Sequence, residues 1–208
     1  MLQRRLAARF LLAAAFVVAA SGCDASGPEG PATVEVRVPA TFAPLPVPPQ
    51  NPLRAARVAL GERLFFDPIL SRDRSVSCGS CHLPDLAFSD GRARSVGVEG
   101  RAGLRNAPSL LNVAYRKSLF WDGGALFLES QALVPLEDPH EMDLAPEDAL
   151  DRLRRHPAYP ALFADAFDGE GPSVRTLTYA LAAYQRTLVS APTAFDRHLA
   201  GDTTALAA

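Results

Sequence analysis

The segment Cys78-Gly79-Ser80-Cys81-His82 determines how the rest of this sequence is interpreted. It has the form C-x-x-C-H, in which two thiols add to the vinyl groups of haem and the adjacent imidazole ligates the iron. The same cysteine spacing also occurs in structural disulfides, in thioredoxin-like redox pairs and in one half of a zinc site. A zinc site needs further ligands, which the neighbouring sequence does not offer. The motif therefore favours covalent haem c, and a single copy of it predicts one haem per chain.

The remaining histidines give weaker signals. His156 and His198 fall at polar ends of predicted helices, where we expect them to be exposed. His140 lies in the loop-like segment 137–142, next to Glu141. Its simplest interpretation is a solvated loop histidine, and the alternatives are a sixth iron ligand or a pocket residue.

Composition limits the class of protein. Of the 208 residues 48% are apolar and 21% are charged, which is the balance of a globular chain with its own core. The formal net charge is −2, and the sequence has no basic patch. We therefore expect no nucleic-acid partner, since such binding depends on clustered Lys and Arg.

The N-terminal sequence has the features of bacterial export. Residues 1–22 combine a basic start with an apolar run and small residues, which predicts a lipoprotein signal peptide. Cys23 ends a lipobox-like Ala-Ser-Gly-Cys sequence and is the predicted lipidation site, although an ordinary signal peptide with an incidental cysteine is the alternative. The prediction is a periplasmic protein held to a membrane by acyl chains on Cys23, with Asp24 slightly favouring the inner membrane.

The next segment is rich in proline and glycine. We interpret residues 23–50 as a flexible tether, with one short strand at Val34–Val38 where apolar and polar residues alternate. The folded domain is predicted over residues 51–202, and residues 203–208 have the character of a truncated linker.

Helical periodicity predicts a mainly α domain with long loops. The pair Asn51-Pro52 suggests a cap and first residue for a helix that runs to about Phe66. Shorter or later helices are predicted at Asn106–Tyr115, Leu126–Leu133, Pro146–His156 and Ser173–Ser190, of which the last has the most regular apolar stripe.

Several short motifs carry a family resemblance. They are Leu60–Pro68, Arg105–Asn112, Phe120–Gly123, Glu129–Ala132, Asp138–Met142 and Phe195–Asp202. In this order they resemble the N-terminal haem domain of bacterial di-haem cytochrome c peroxidases and their MauG-like relatives, over about residues 51–202. The resemblance implies a cytochrome c-like helical fold in which Cys78 and Cys81 hold the haem and His82 binds its iron.

The resemblance also implies roles around the haem. Gln131 and Glu141 resemble a pair of pocket residues above the haem, with Glu141 acting as acid and base. Trp121 resembles a tryptophan that relays electrons between two haems. Asn106 resembles a ligand of a calcium ion between the two domains of the family.

The sequence departs from the family at two points. Some members place a capping histidine sixteen residues after the haem histidine, where this chain has Val98, so the sequence is similar to the MauG-like subset with an open iron site. The family also has a C-terminal domain with a second C-x-x-C-H, and no second motif is present in these 208 residues.

The implied activity is that of a haem c peroxidase domain. It would reduce hydrogen peroxide with electrons from a small cytochrome c or cupredoxin, or oxidise a partner protein. A separate C-terminal haem domain is a further expected partner. The alternatives are a mono-haem electron-transfer or haem-binding module without turnover, and a truncated fragment that lacks the second haem domain.

Overall fold

The protein is described by a computed structural model that covers residues 31–190 and 192–206. The predicted signal peptide, Cys23 and the first residues of the predicted tether lie outside this range. Within it the fold is mainly α, as the sequence predicts, with isolated bridges but no β-sheet. The helices are α1 (Ala55–Phe66), α2 (Cys78–Cys81), α3 (Leu128–Gln131), α4 (Leu133–Glu137), α5 (Pro146–Arg155), α6 (Tyr159–Ala166), α7 (Val174–Arg186) and α8 (Ala194–Leu199).

Helices α1 and α7 form the centre of the core. They approach so closely that a Cβ on Gly61 would lie 2.0 Å from the carbonyl oxygen of Ala180, so only glycine fits there. The predicted cap of α7 is present, because the Ser173 side chain accepts a hydrogen bond from the N–H of Thr176 at 3.2 Å. Leu177 and Leu181 from the predicted apolar stripe are buried. The local pattern therefore correctly predicted this helix, although it ends at Arg186.

The prediction for the start of α1 was wrong. The helix begins at Ala55 with Arg54 as its flanking residue, and Asn51 caps nothing. Instead the Asn51 side chain is fully buried, donates to Glu129 Oε1 at 2.9 Å and accepts from Arg57 at 2.9 Å. A capping position satisfies one backbone group locally, whereas these partners lie in other parts of the fold and satisfy more of the amide.

The helical prediction differs from the structure at three other places. The predicted helix Leu126–Leu133 is divided into α3 and α4, and α4 continues to Glu137. The predicted helix Asn106–Tyr115 is reduced to a single 3₁₀ turn, Val113–Tyr115. The sequence analysis missed α6, which begins with Tyr159-Pro160 and buries Tyr159 and Phe163 against the core. Proline is compatible with the first turn of a helix because the N–H it lacks has no partner there.

Residues 31–50 lie along the domain as an extended arm. The N–H of Val34 donates to the carbonyl of Leu53 at 2.8 Å, and the Tyr115 hydroxyl donates to the carbonyl of Ala43 at 3.2 Å. The ring of Phe42 also packs edge-on against Tyr115 at 5.3 Å. No strand forms at Val34–Val38, because the only bridge nearby pairs Thr33 with Arg54.

Within residues 31–190 and 192–206, none of the helices has both the length and the apolar character needed to cross a bilayer.

Candidate haem site

The C-x-x-C-H motif folds as one tight helical turn. Helix α2 covers Cys78–Cys81, and the N–H of His82 closes the turn on the carbonyl of Cys78 at 2.9 Å. The Ser80 hydroxyl accepts from the N–H of Ser77 at 3.0 Å, which fixes the entry to the turn. Gly79 packs against the Phe66 ring, where a Cβ would approach Cδ1 to 2.4 Å. The turn therefore rests on the end of α1.

His82 is prepared to ligate a metal through Nε2. Its Nδ1 lies 2.8 Å from the carbonyl oxygen of Phe88. A carbonyl can only accept, so Nδ1 carries the proton and Nε2 keeps its lone pair. Burial lowers the pKa of His82, which favours the neutral imidazole that binds metals. A metal-binding histidine is usually oriented in this way by a partner on its other nitrogen.

The two cysteines are free thiols rather than a disulfide. Burial raises the pKa of Cys78 to about 12 and also raises the pKa of Cys81. Thioredoxin-like pairs use a thiolate and occur where the surroundings lower the pKa of the thiol. Burial here raises the pKa of both thiols, so the redox-pair alternative to haem attachment loses support. Within the described part of the chain no three His, Cys, Asp or Glu side chains cluster as a metal site either.

All three motif residues line one cleft of about 640 Å³, including its open mouth. Its apolar wall consists of Phe65, Val76, Leu110, Met142 and Leu181. Polar side chains line the remainder of the cleft, and its apolar wall suits a flat, mainly apolar ring system. The thiol pair, the oriented imidazole and the apolar wall together fit a covalently attached haem.

The predicted pocket pair is also brought to this cleft. Gln131 is the last residue of α3, and Glu141 follows α4 in a turn. Burial among the neighbouring protein atoms raises the pKa of Glu141, and the charge of Asp138 raises it further. Its side chain nevertheless contacts solvent at the mouth of the cleft, so it has access to both water and the cleft.

A buried ion pair holds α3 in place. Glu129 Oε2 accepts a hydrogen bond from Arg186 of α7 at 2.8 Å, and Glu129 Oε1 lies 2.7 Å from the other terminal nitrogen of Arg186 as an ion pair. The Asn51 side chain also donates to Glu129 Oε1, at 2.9 Å. This fixes the helix turn that ends at Gln131. The sequence motif Glu129–Ala132 thus contains one residue that anchors the helix and one that faces the cleft.

The sequence analysis missed three polar residues of the cleft, Ser77, Ser95 and Gln185. Gln185 gave a signal, since it is a polar residue on a helix whose neighbouring positions are apolar, and it is 5% exposed. His140 also lines the cleft while remaining partly exposed, which combines two of the interpretations left open for it.

Two predicted site residues lie away from the cleft. The Trp121 side chain is 59% exposed, and its Nε1 donates to the backbone carbonyl of Asn106 at 3.0 Å. Asn106 is exposed as well. Val98 is fully buried in the core and does not line the cleft.

This combination of a helical fold, a paired-thiol turn and an oriented imidazole defines a cytochrome c-type haem domain. Comparison with known proteins identifies the family. The sequence profile described as di-haem cytochrome c peroxidase matches residues 55–204. The methylamine utilization protein MauG of Methylorubrum extorquens is 46% identical over 165 residues, which make up 79% of this chain and 47% of that protein.

Two further similarities support the same assignment. Cytochrome-c peroxidase IdrP1 of Pseudomonas sp. strain SCT is 39% identical over 204 residues, covering 94% of this chain and 49% of the relative. A crystal structure of a MauG-like protein associated with microbial copper homeostasis has a TM-score of 0.75 and 35% identity, covering 82% of this chain and 51% of that one. The chain belongs to the di-haem cytochrome c peroxidase family, for which haem c is the implied cofactor. It spans about half the length of these relatives.

Proposed function

We propose that this chain binds one haem c through Cys78, Cys81 and His82 and acts as the peroxide-reacting domain of a peroxidase-type oxidoreductase. The observation that carries the proposal is that Glu141 and Gln131 line the same cleft as the three haem-binding residues. The proposed haem domain keeps the bounds 51–202, with residues 203–208 as a linker.

Haem bound at this site supplies a redox-active iron for cleavage of the peroxide O–O bond. The chain supplies the proton transfer. The Glu141 carboxylate takes the proton from one peroxide oxygen and returns it to the other, so that the second oxygen leaves as water. Its raised pKa suits it to both steps, because such a group holds a proton more readily than an ordinary glutamate. The Gln131 amide orients the peroxide by hydrogen bonding.

Electrons must enter from outside the cleft. The proposed donor is a small cytochrome c or cupredoxin, and a partner protein oxidised by the domain is the alternative source. The exposed indole of Trp121 is the proposed relay towards a second haem domain, and Asn106 is the proposed contribution to calcium binding at that boundary. We also propose that the chain is exported to the periplasm and held to a membrane by a lipid anchor on Cys23.

The test is the reaction of the haem-loaded full chain with hydrogen peroxide, followed by stopped-flow absorbance. Glu141→Gln keeps the shape of the side chain but cannot accept and return a proton, so the reaction should slow by about 100-fold or more. Glu137→Gln is the matched control, because Glu137 is an exposed glutamate at the end of α4, four residues away. It should react at the wild-type rate.

A wild-type chain that fails to react with peroxide, even with a second haem domain added, would overturn the proposal in favour of a mono-haem electron-transfer module. Equal rates in wild type and Glu141→Gln would remove Glu141 from the mechanism.

A further inference from the structure

Residues 138–143, here called the Glu141 segment, contact a second loop that is distant in sequence. This loop, residues 97–101, is called the clamp loop. The N–H of Val98 donates to the carbonyl oxygen of Glu141 at 2.9 Å. At Gly97 the two backbones touch, because a Cβ there would lie 2.1 Å from the carbonyl oxygen of His140. The clamp loop therefore packs directly on the backbone that carries the Glu141 side chain.

The side chain of Arg101 ties both ends of the Glu141 segment to the clamp loop. One terminal nitrogen donates to the carbonyl of Pro139 at 2.8 Å and to Asp143 Oδ2 at 2.9 Å. The other terminal nitrogen donates to Glu99 at 2.6 Å, within the clamp loop itself. A guanidinium can serve several acceptors at once because its donors form a rigid planar fork.

Arg72 adds a second connection. It forms ion pairs with Glu99 and with Asp143, the latter at 3.3 Å, and its backbone N–H donates to the carbonyl of Met142 at 2.8 Å. A single exposed ion pair contributes little, whereas this group shares its charges among four side chains. Arg101 alone contacts Pro139 as well, so it is the member that reaches both sides of Glu141.

Local hydrogen bonds already define the shape of the segment. The N–H groups of Glu141 and Asp143 both donate to the carbonyl of Asp138, each at 3.0 Å. These bonds hold the turn but do not determine where the turn sits relative to the cleft. Contacts from the clamp loop provide that placement.

We propose that Arg101 is a positioning residue that holds the Glu141 carboxylate in the cleft by fixing both ends of its segment. This rests on the proposed function, in which Glu141 transfers the proton. Arg101 itself lies outside the cleft lining and need not touch substrate. A displacement of the acid–base group by about 1 Å can lower a rate 100-fold, so its placement matters as much as its presence.

The experiment compares Arg101→Ala with wild type in the haem-loaded full chain. The peroxide reaction should slow by about tenfold or more, while haem content and helical circular dichroism stay constant. Arg101→Lys keeps the positive charge but not the planar fork of donors. It should react at a rate between those of wild type and Arg101→Ala. Arg155→Ala is the control, since Arg155 forms an exposed ion pair with Asp151 on α5, remote from the clamp loop in sequence.

Two readouts distinguish positioning from a general structural effect. In a Glu141→Gln background Arg101→Ala should slow the reaction no further, because the group it positions no longer acts. Hydrogen exchange of the peptides that contain Val98 and residues 138–143 should increase in Arg101→Ala and not in Arg155→Ala.

An equal slowing by Arg101→Ala in both backgrounds would overturn the proposal, since Arg101 would then act independently of Glu141. Should Glu141→Gln react at the wild-type rate, Glu141 drops out of the proposed mechanism, and hydrogen exchange tests the contact between the clamp loop and the Glu141 segment separately. Unchanged hydrogen exchange of the Glu141 segment in Arg101→Ala would then reject the positioning role of Arg101.

Discussion

The backbone N–H of Val98 donates a hydrogen bond to the carbonyl oxygen of Glu141, with 2.9 Å between the two atoms. The Val98 side chain is fully buried. This position, where some family members are expected to carry a histidine that caps the iron, is thus occupied here by a packed aliphatic residue. Valine offers no ligand atom for the iron. Its backbone N–H instead holds the backbone of Glu141 through this hydrogen bond.

The ferric haem is therefore expected to be high-spin, with no side chain from residue 98 as sixth ligand. Electron paramagnetic resonance of the purified ferric protein measures this directly. A purely low-spin spectrum would contradict the expectation and would implicate His140, which lines the cleft. In that case His140→Ala should convert the spectrum to high-spin, with His156→Ala as a control because His156 lies elsewhere, at the end of α5.

Covalent attachment makes a separate prediction. Expression with a cytochrome c maturation system should add the mass of one haem per chain, and the pyridine haemochrome should show two thioether bonds. Cys81→Ser should leave one thioether and shift that spectrum, whereas Ser80→Ala should not, because Ser80 is not a predicted haem-binding residue and its hydroxyl hydrogen-bonds with Ser77. A chain without added mass, or with two haems, would refute the assignment of Cys78, Cys81 and His82.

Local patterns predicted the parts of the fold that local interactions determine. Helix α7 has a capping serine and a regular apolar stripe, and both act within a few residues. Asn51 was misassigned because its hydrogen-bond partners include Glu129, which is 78 residues away. At Val34–Val38 the alternation predicted a strand, which does not form because a strand needs a paired neighbour and none is paired there.

The candidate site likewise has parts that local sequence determines and parts that depend on residues distant in sequence. The C-x-x-C-H turn is contiguous, so its chemistry can be inferred from sequence, and the family resemblance pointed to Gln131 and Glu141. Arg101 gave no such signal. Its acceptors on Pro139 and Asp143 lie 38 and 42 residues further along the chain, and only the folded structure brings these loops together.

The Glu129–Arg186 pair is predicted to be a main source of stability around α3. The two side chains are 13% and 7% exposed. Glu129→Gln leaves the Arg186 charge buried without a counter-charge, which should cost about 3–5 kcal/mol in the free energy of unfolding. Glu170→Gln is the control, because Glu170 pairs with Arg175 at the surface and should change stability by less than about 1 kcal/mol. Denaturant unfolding of both variants measures the difference, and equal stabilities would contradict it.

The same pair predicts a pH dependence. Burial alone would raise the pKa of Glu129, but hydrogen bonds from Arg186 and Asn51 and the charge of Arg186 outweigh it, so the pKa is lowered. A carboxyl group whose pKa is lower in the folded state contributes stability above its unfolded pKa, at about 4.3, and loses it as the pH falls through the folded value. The stability gap between wild type and Glu129→Gln should therefore narrow below about pH 4. A gap that stays constant from pH 7 to pH 3 would show that the charge of Glu129 is not its cause.

Trp121 allows a test of electron relay that is separate from folding. Its indole is 59% exposed, and its one hydrogen bond goes to a backbone carbonyl at the surface. Trp121→Phe should therefore change the free energy of unfolding by less than about 1 kcal/mol. Phenylalanine keeps an aromatic ring but is much harder to oxidise than an indole. We therefore expect the initial reaction with peroxide to keep its rate, while the oxidised protein formed by it decays faster than in wild type.

Stopped-flow absorbance measures both phases in one experiment. Phe127→Leu is the matched control, since Phe127 is 66% exposed but cannot take up an oxidising equivalent as an indole does, so its decay should match wild type. If Trp121→Phe also decays at the wild-type rate, Trp121 holds no share of the oxidising equivalent. If it slows the first phase instead, its role lies at the cleft rather than at the surface. An exposed indole that prolongs the oxidised state without supporting the fold is what an electron-transfer contact requires, because a partner must reach it from solvent.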